Sequence, residues 1–217
     1  MRGNDGKIRA IQEKLLQWFE RNGRDFPWRK TKDPYRILIA EIMLQRTKAE
    51  QVVPVYKKFI GHFPSPESLA KARTEAVRAF FSRLGLLWRA DLVVRLAGEL
   101  VKKFGGTPPS ERKELLSLPG VGDYMADAVL SFAYGADVAV VDSNVCRVLR
   151  RIFDIRPKGE ARRDRRFREL AMRLVPHGKS REFNWAMIDF ASEICTPQKP
   201  KCGKCPLRYH CSAATNS

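Results

Sequence analysis

Residues 118–122, Leu-Pro-Gly-Val-Gly, decide how this chain folds. They lie between a helical pattern over residues 110–117 and the apolar segment Tyr124–Tyr134, which predicts two helices joined by a tight glycine turn. Glycine allows a backbone to approach a phosphate closely, and the amides at the start of the following helix point toward such an anion. The turn is either a purely structural hairpin or a phosphate-backbone contact formed by Gly120, Val121 and Gly122.

Helical periodicity continues on both sides of this turn. Apolar residues recur three and four positions apart in many segments, among them Ile8–Phe19 and Leu92–Val101. The one strand-like run, Val138–Val141, ends at Asp142 and is followed by a helical pattern over Ser143–Phe153. The sequence therefore predicts an all-α protein of about ten short helices.

Charge is the strongest compositional signal. The net charge is +17 over 217 residues, and the basic residues are spread along the whole chain. Such a charge favours nucleic acid as the partner, the alternative being a well-solvated surface typical of a thermophile. Because the chain has no apolar run of about 20 residues and residues 1–12 are polar, neither membrane insertion nor export is expected. A cytoplasmic location, in association with DNA, is expected instead.

Four of the five cysteines lie close together in the pattern Cys-x6-Cys-x2-Cys-x5-Cys. In a protein without an export signal, clustered thiols are more typical of a metal site than of disulfides. Four thiolates could hold an iron–sulfur cluster or Zn²⁺, although zinc ribbons normally have two Cys-x2-Cys pairs and this pattern has one. The predicted ligands are Cys195, Cys202, Cys205 and Cys211, whereas Cys146 is predicted to be a small core residue.

Two acidic residues are notable for their positions. Asp142 directly precedes the helical pattern that starts at Ser143, which makes it a candidate N-cap at the end of the helix that favours negative charge. Glu41 interrupts the apolar run Ile37–Leu44, and a carboxylate on a buried helix needs a polar partner or a function. Each is either a structural residue or part of an active site.

In combination, residues 118–122, the segment Val140–Val145 and the spaced cysteines resemble the helix–hairpin–helix DNA glycosylases. This family includes endonuclease III, MutY and the archaeal mismatch glycosylases of the Mig type, and the resemblance covers nearly the whole chain. It implies a two-lobed all-α fold, with a six-helix-barrel domain over residues 29–135 and a cluster domain formed by residues 1–28 and 136–217. It also implies a [4Fe–4S] cluster on the four cysteines and double-stranded DNA bound between the lobes.

The resemblance assigns roles to three candidate catalytic residues. Asp142 matches the essential aspartate of the family, whose anion stabilises the oxocarbenium-like transition state as the base leaves. Glu41 matches a glutamate in the base pocket of MutY and the Mig type, and the implied role is to position water or to hydrogen-bond the extruded base. Tyr124 stands where endonuclease III carries a Schiff-base lysine, which implies a monofunctional glycosylase in which water attacks the sugar.

Two further residues match side chains with which the family invades the duplex. Gln45 corresponds to the glutamine that fills the space left by a flipped nucleotide, and Leu86 to the side chain that intercalates opposite it. The sequence departs from the family at Asp123, where relatives usually have a basic residue, and Asp127 adds a second acid one turn later. These acids are expected to affect the phosphate contact or the choice of base.

The predicted reaction is hydrolysis of the N-glycosidic bond of thymine or uracil mispaired with guanine, by a monomer acting on duplex DNA. An adenine glycosylase is the first alternative, but the sequence ends shortly after Cys211, which leaves out MutY's additional domain. A bifunctional lyase is the second, and it would need another amine such as Lys113 or Lys48. The third is a non-catalytic DNA-binding module that uses the hairpin and a structural metal.

Overall fold

The computed structural model describes residues 3–85 and 87–215, and no β-strand occurs in these two ranges. They contain twelve α-helices and five short 3-10 helices, so the predicted all-α class is confirmed. No helix within them is both long and apolar enough to cross a membrane. The α-helices are α1 (Gly3–Asn22), α2 (Pro34–Leu44), α3 (Ala49–His62), α4 (Pro66–Ala70), α5 (Thr74–Phe81), α6 (Trp88–Phe104), α7 (Arg112–Leu116), α8 (Asp123–Phe132), α9 (Ser143–Phe153), α10 (Arg165–Leu174), α11 (Ser180–Glu193) and α12 (Ser212–Thr215).

The helices form two compact units. The discontinuous unit consists of Met1–Arg24 and Gly135–Ser217, and the contiguous unit consists of Asp25–Tyr134. Helices α2 to α8 belong to the contiguous unit, whereas α1 and α9 to α12 belong to the discontinuous one. The functional division into a barrel domain over residues 29–135 and a cluster domain over the remainder stays a prediction.

The contiguous unit is built around α2, which is buried along most of its length. Asp33 caps this helix by accepting hydrogen bonds from the amides of Tyr35 and Arg36, and Pro34 occupies its first turn. Apolar side chains on all sides of α2 allow it to pack against both α3 and α8. Glu41, which lies among these buried positions, is therefore withdrawn from solvent, whereas Arg36 on the same helix is exposed. An aromatic cluster elsewhere in the unit is formed by Phe59, Phe63, Phe80 and Phe81.

The discontinuous unit joins segments from both ends of the sequence. Ile11 and Leu15 of α1 are fully buried and belong to the same core as the apolar faces of α9, α10 and α11. At the end of the first segment, the side chain of Arg24 pairs with Asp189 of α11 at 2.7 Å, and the Arg24 amide donates to the same carboxylate at 2.9 Å. Because Asp189 is fully buried, this pairing is what makes its charge tolerable, and it fixes the first segment to α11.

The strand-like run Val138–Val141 is not a strand, in agreement with the predicted all-α class, because the side chain of Asn184 takes the place of a neighbouring strand. The Val140 amide donates to Asn184 Oδ1 at 3.0 Å, and Asn184 Nδ2 donates to the Val138 carbonyl at 2.8 Å. The helix expected over residues 110–117 is shorter, Arg112–Leu116, because the preceding residue is extended.

Candidate active site and iron–sulfur site

The turn between α7 and α8 has the geometry of a helix–hairpin–helix motif. Gly120 has a φ of 75°, and a Cβ there would come within 2.5 Å of a Leu92 side-chain carbon, so both backbone and packing require glycine. Gly122, the N-cap of α8, would place a Cβ in open space and caps the helix without a side-chain hydrogen bond. The exposed start of α8 is therefore accessible to an anion such as a phosphate.

Asp123, which departs from the family pattern, and Asp127, the acid one turn later, both pair with one arginine of this motif. Nε of Arg112, on α7, donates to Oδ1 of Asp127 at 2.8 Å, and Nη2 of the same side chain pairs with Asp123. The hydrogen bond to Asp127, followed by that to Asp123, raises the pKa of Arg112 above its ordinary value, although partial burial acts in the opposite direction. The Asp123 carboxylate next to Gly122 therefore has a cationic partner in the free protein.

Asp142 is the N-cap of α9, as its position in the sequence predicts. Its Oδ1 accepts a hydrogen bond from the amide of Val145 at 2.7 Å, and its Oδ2 accepts one from Nδ2 of Asn144 at 2.7 Å. The residue is half-buried. Two donors on two oxygens hold the carboxylate in one orientation, at the positive end of the helix dipole.

A series of hydrogen bonds continues from Asp142 toward the cysteine-rich loop. Arg147 Nη1 donates to Oδ1 of Asn144 at 2.8 Å. Its Nε donates to the carbonyl of Cys195 at 3.0 Å and its Nη2 to the carbonyl of Ala191 at 3.0 Å. The carboxylate of Asp142 is therefore connected through two side chains to the backbone of the first predicted cluster ligand.

Arg151, one turn later on α9, holds the beginning of the same loop. Its guanidinium donates to the carbonyls of Thr196 and Pro197, each at 2.7 Å. Nη1 also lies 3.3 Å from the carbonyl and 3.4 Å from Sγ of Cys195. Neither Arg147 nor Arg151 was singled out from the sequence, and the signal available there was a pair of arginines four residues apart on one helix.

The four predicted cluster ligands lie close enough together for their charges to affect one another. Burial, and to a lesser degree the charges of the other three thiols, raises the pKa of Cys205 to about 11. In the described residues, however, no three His, Cys, Asp or Glu side chains are placed to hold a single metal ion. A four-iron cluster takes one thiolate on each iron and so accepts ligands that are spread more widely than those of one Zn²⁺. The donor set fits an iron–sulfur cluster.

The cysteine outside this group is part of the hydrophobic core. Cys146 of α9 is 3% exposed and packs among the apolar residues of the discontinuous unit, as predicted. Burial, followed by the charge of Asp142, raises its pKa to about 11. Its thiol is therefore protonated at neutral pH.

The other candidate residues lie in the contiguous unit. Glu41 is in the interior of α2 and is only 5% exposed. At the end of the same helix, Gln45 donates from Nε2 to Sδ of Met125 at 3.4 Å, which brings it to the start of α8. Tyr124, the residue before Met125, is half-buried. Leu86, the predicted intercalating residue, lies outside the described residues.

Two family models match the chain. Residues 39–176 match the HhH-GPD superfamily of base excision DNA repair proteins, and residues 195–211 match the iron–sulfur binding domain of endonuclease III. The second range contains all four predicted ligands and no other cysteine. The predicted iron–sulfur cofactor, a [4Fe–4S] cluster, is thereby confirmed.

Known proteins resemble this chain over nearly its full length. A thymine-DNA glycosylase from Aeropyrum pernix is 39% identical to it, over 95% of each chain. A thymine/uracil-DNA glycosylase from Pyrobaculum aerophilum is 41% identical, over 91% of this chain and 88% of the relative. The solved structure of a thermostable thymine-DNA glycosylase matches with a TM-score of 0.94 and 38% identity, covering 99% of both chains.

Proposed function

Because the chain belongs to the HhH-GPD superfamily of base excision DNA repair proteins, we propose that it is a DNA glycosylase that releases thymine or uracil paired with guanine. The observation that carries this proposal is the Asp142 carboxylate, held at the start of α9 by two hydrogen bonds. The choice of base is supported by full-length similarity to glycosylases named for thymine and uracil. A net charge of +17 suits a duplex DNA substrate.

Asp142 acts on the sugar. As the base departs, positive charge develops on the deoxyribose, and a fixed anion next to it lowers the energy of that transition state. The hydrogen bonds from Val145 and Asn144 orient the carboxylate before the substrate arrives, so little reorganisation is needed during the reaction.

Glu41 acts on the base or on the attacking water. Its carboxyl group sits in an apolar helix, where a polar contact to the substrate is not weakened by bulk solvent. Gln45 fills the space that the extruded nucleotide leaves in the duplex. It directly follows the same helix, and a hydrogen bond to Met125 orients its side chain.

Tyr124 makes the enzyme monofunctional. Strand cleavage through a Schiff base requires an amine at the sugar, and a phenol does not form one. Water is therefore the nucleophile, and the product is an abasic site in an unbroken strand.

The remaining candidate residues bind DNA or hold the fold. The turn formed by Gly120, Val121 and Gly122 brings the exposed start of α8 to a phosphate of the duplex, while the amide of Val121 donates within the turn to the Leu118 carbonyl at 3.2 Å. When bound, the cluster cross-links the loop over residues 195–211, where exposed lysines offer further phosphate contacts. We expect the enzyme to act as a monomer, which sedimentation analysis of the protein with and without duplex would check.

Single-turnover release of bases from labelled duplexes tests the proposal. The duplexes carry T/G, U/G, A/G, adenine opposite oxidised guanine, or thymine glycol, and each is assayed with and without alkali. Strand breaks from T/G and U/G that require alkali are the expected result.

Other outcomes identify the alternatives. Release of adenine alone would indicate an adenine glycosylase. Breaks without alkali, together with a borohydride-trapped adduct, would indicate a lyase that uses Lys48 or Lys113. Tight binding of every duplex without release of any base would indicate a non-catalytic module.

A further inference from the structure

Among the described residues, the largest fully buried side chain is a cation, Arg89, in the first turn of α6. It is 1% exposed, and its Nε has no hydrogen-bond partner. In the described part of the chain no acidic side chain pairs with it, and Asp91, the acid of the same turn, pairs with Arg78 at 3.1 Å instead. A buried charge without a counter-ion is costly, so its presence requires a compensating role.

The electrostatic surroundings of Arg89 are unfavourable from two sides. The start of α6 is the positive end of the helix dipole. Burial, and after it the charge of Arg46, lowers the pKa of Arg89 to about 10, which leaves the guanidinium charged at neutral pH.

The favourable contact of Arg89 is with the end of α2. Its Nη1 donates to the carbonyl of Met43 at 3.2 Å, in the last turn of that helix, where carbonyls lack partners within the helix and attract cations. Beyond this point Gln45 leaves the helix, and Arg46 adopts a left-handed conformation with a φ of 57°. That conformation is strained for a residue with a side chain, and Arg89 is anchored directly beside it.

On its other side Arg89 adjoins an exposed apolar edge. Its guanidinium carbon lies 5.8 Å from the ring centre of Trp88. Leu87 and Trp88 are 54% and 56% exposed, among the most exposed large apolar side chains described. An aromatic ring and an aliphatic side chain beside an exposed arginine, Arg46, match the stacked bases and flanking phosphates of DNA.

We propose that Arg89 is a positioning residue for base extrusion, an inference that rests on the proposed glycosylase function. It ties the turn that carries Gln45 and Arg46 to the edge formed by Leu87 and Trp88, so that both enter the duplex as one rigid element. Its buried charge is retained because a neutral side chain would leave the strained turn free to relax.

Three variants test this role. Arg89→Met removes the charge but keeps much of the volume, and Arg89→Lys keeps the charge without the planar donor group. Arg95→Met is the matched control, because it removes the same charge from an exposed position on the same helix. Each is compared with the wild type in unfolding, in release of the mispaired base, and in affinity for a duplex that already contains an abasic site.

We expect Arg89→Met to be as stable as the wild type or more stable, because an uncompensated buried charge is lost. Release of the mispaired base should slow about tenfold, the order expected when a charged hydrogen bond is removed. Affinity for the abasic duplex should stay within about twofold, since no base remains to be extruded. Arg95→Met should change none of these beyond its effect on salt dependence, and Arg89→Lys should lie between the wild type and Arg89→Met.

Three results would overturn the role: loss of folding in Arg89→Met, equal losses on both kinds of duplex, or no change at all. If the wild type releases no base, that result counts against the proposed function alone. The positioning role is then still tested by two measurements that do not depend on base release. In the free protein, the amide of Thr47, bonded to the Leu44 carbonyl at 3.2 Å, should exchange faster with solvent in Arg89→Met. With 2-aminopurine next to a T/G mismatch, the fluorescence rise that reports extrusion should be smaller in that variant.

Discussion

The two candidate carboxylates lie in opposite kinds of surroundings. In the discontinuous unit, half-buried Asp142 begins a helix and is held by backbone and side-chain donors. In the contiguous unit, Glu41 lies in the middle of a helix whose neighbouring positions are apolar. The first environment fixes a charge in place, and the second removes a carboxyl group from water. In the proposed reaction, the same chemical group therefore serves two functions, one electrostatic at the sugar and one directed at the base.

The largest expected effect is that of Asp142→Asn. Asparagine caps a helix about as well as aspartate, so the stability should change by less than about 0.5 kcal/mol. Base release should fall by about 10³-fold or more, because the anion that stabilises the transition state is lost. Single-turnover kinetics and melting measure both. A large fall in melting temperature would mean that the residue is mainly structural.

Glu41→Gln is expected to have the next largest effect. Base release should fall about 10²-fold, because this is the order of the contribution of a side chain that moves or orients a proton in the transition state. Stability should hold or rise, because a buried carboxyl group becomes an uncharged amide of the same shape. Binding to a duplex with an abasic site, which lacks the base, should be unchanged. If that binding weakened as much as base release, the glutamate would have no role at the base.

Arg147→Leu tests the connection between Asp142 and the cluster loop. It removes the donor to the Ala191 carbonyl and one of two donors to the Cys195 carbonyl, which keeps its contact with Arg151, at a cost of about 2 kcal/mol. It also frees Asn144 to release Asp142. We expect a lower melting temperature, faster bleaching of the cluster's visible absorbance, and slower base release. Arg150→Leu is the control, because it removes the same charge from an exposed position on the same helix. Equal effects of both variants would refute the connection.

Cys146 gives the smallest expected effect, and it depends on pH. Since burial raises the pKa of the Cys146 thiol to about 11, above the ordinary value of a cysteine, the unfolded chain loses this proton at lower pH than the folded protein does. Between pH 8 and pH 10, the free energy of unfolding should therefore fall by about 1 kcal/mol more in the wild type than in a variant without this thiol. Denaturant titrations of the wild type and of Cys146→Ala measure the difference. An identical pH dependence in both would show that this thiol does not contribute.

Local patterns explain why the sequence predicts one part of the site well. The bounds of α9 and its N-cap follow from the spacing of apolar residues after Asp142, and both agree with the structure. The cysteine spacing predicts the cluster loop in the same way, because ligands that lie close in sequence are constrained by short connections.

Contacts between distant positions are the part that the sequence does not reveal. No pattern indicates that Arg147 reaches Cys195, 48 positions away, because the neighbour of a helix depends on the packing of the whole unit. The run Val138–Val141 has strand-like composition, yet its backbone partners come from the side chain of Asn184. Arginine is normally an exposed residue, so nothing in the local sequence points to the burial of Arg89.

The discontinuous unit also has a consequence for synthesis on the ribosome. Helix α1 emerges before the contiguous unit, whereas its core partners on α11 and the four cysteines emerge after that unit. At roughly 5–20 residues per second, Ile11 and Leu15 wait about ten to thirty seconds before their partners emerge. The contiguous unit is translated in between, and it has all of its residues before the unit that began first can close.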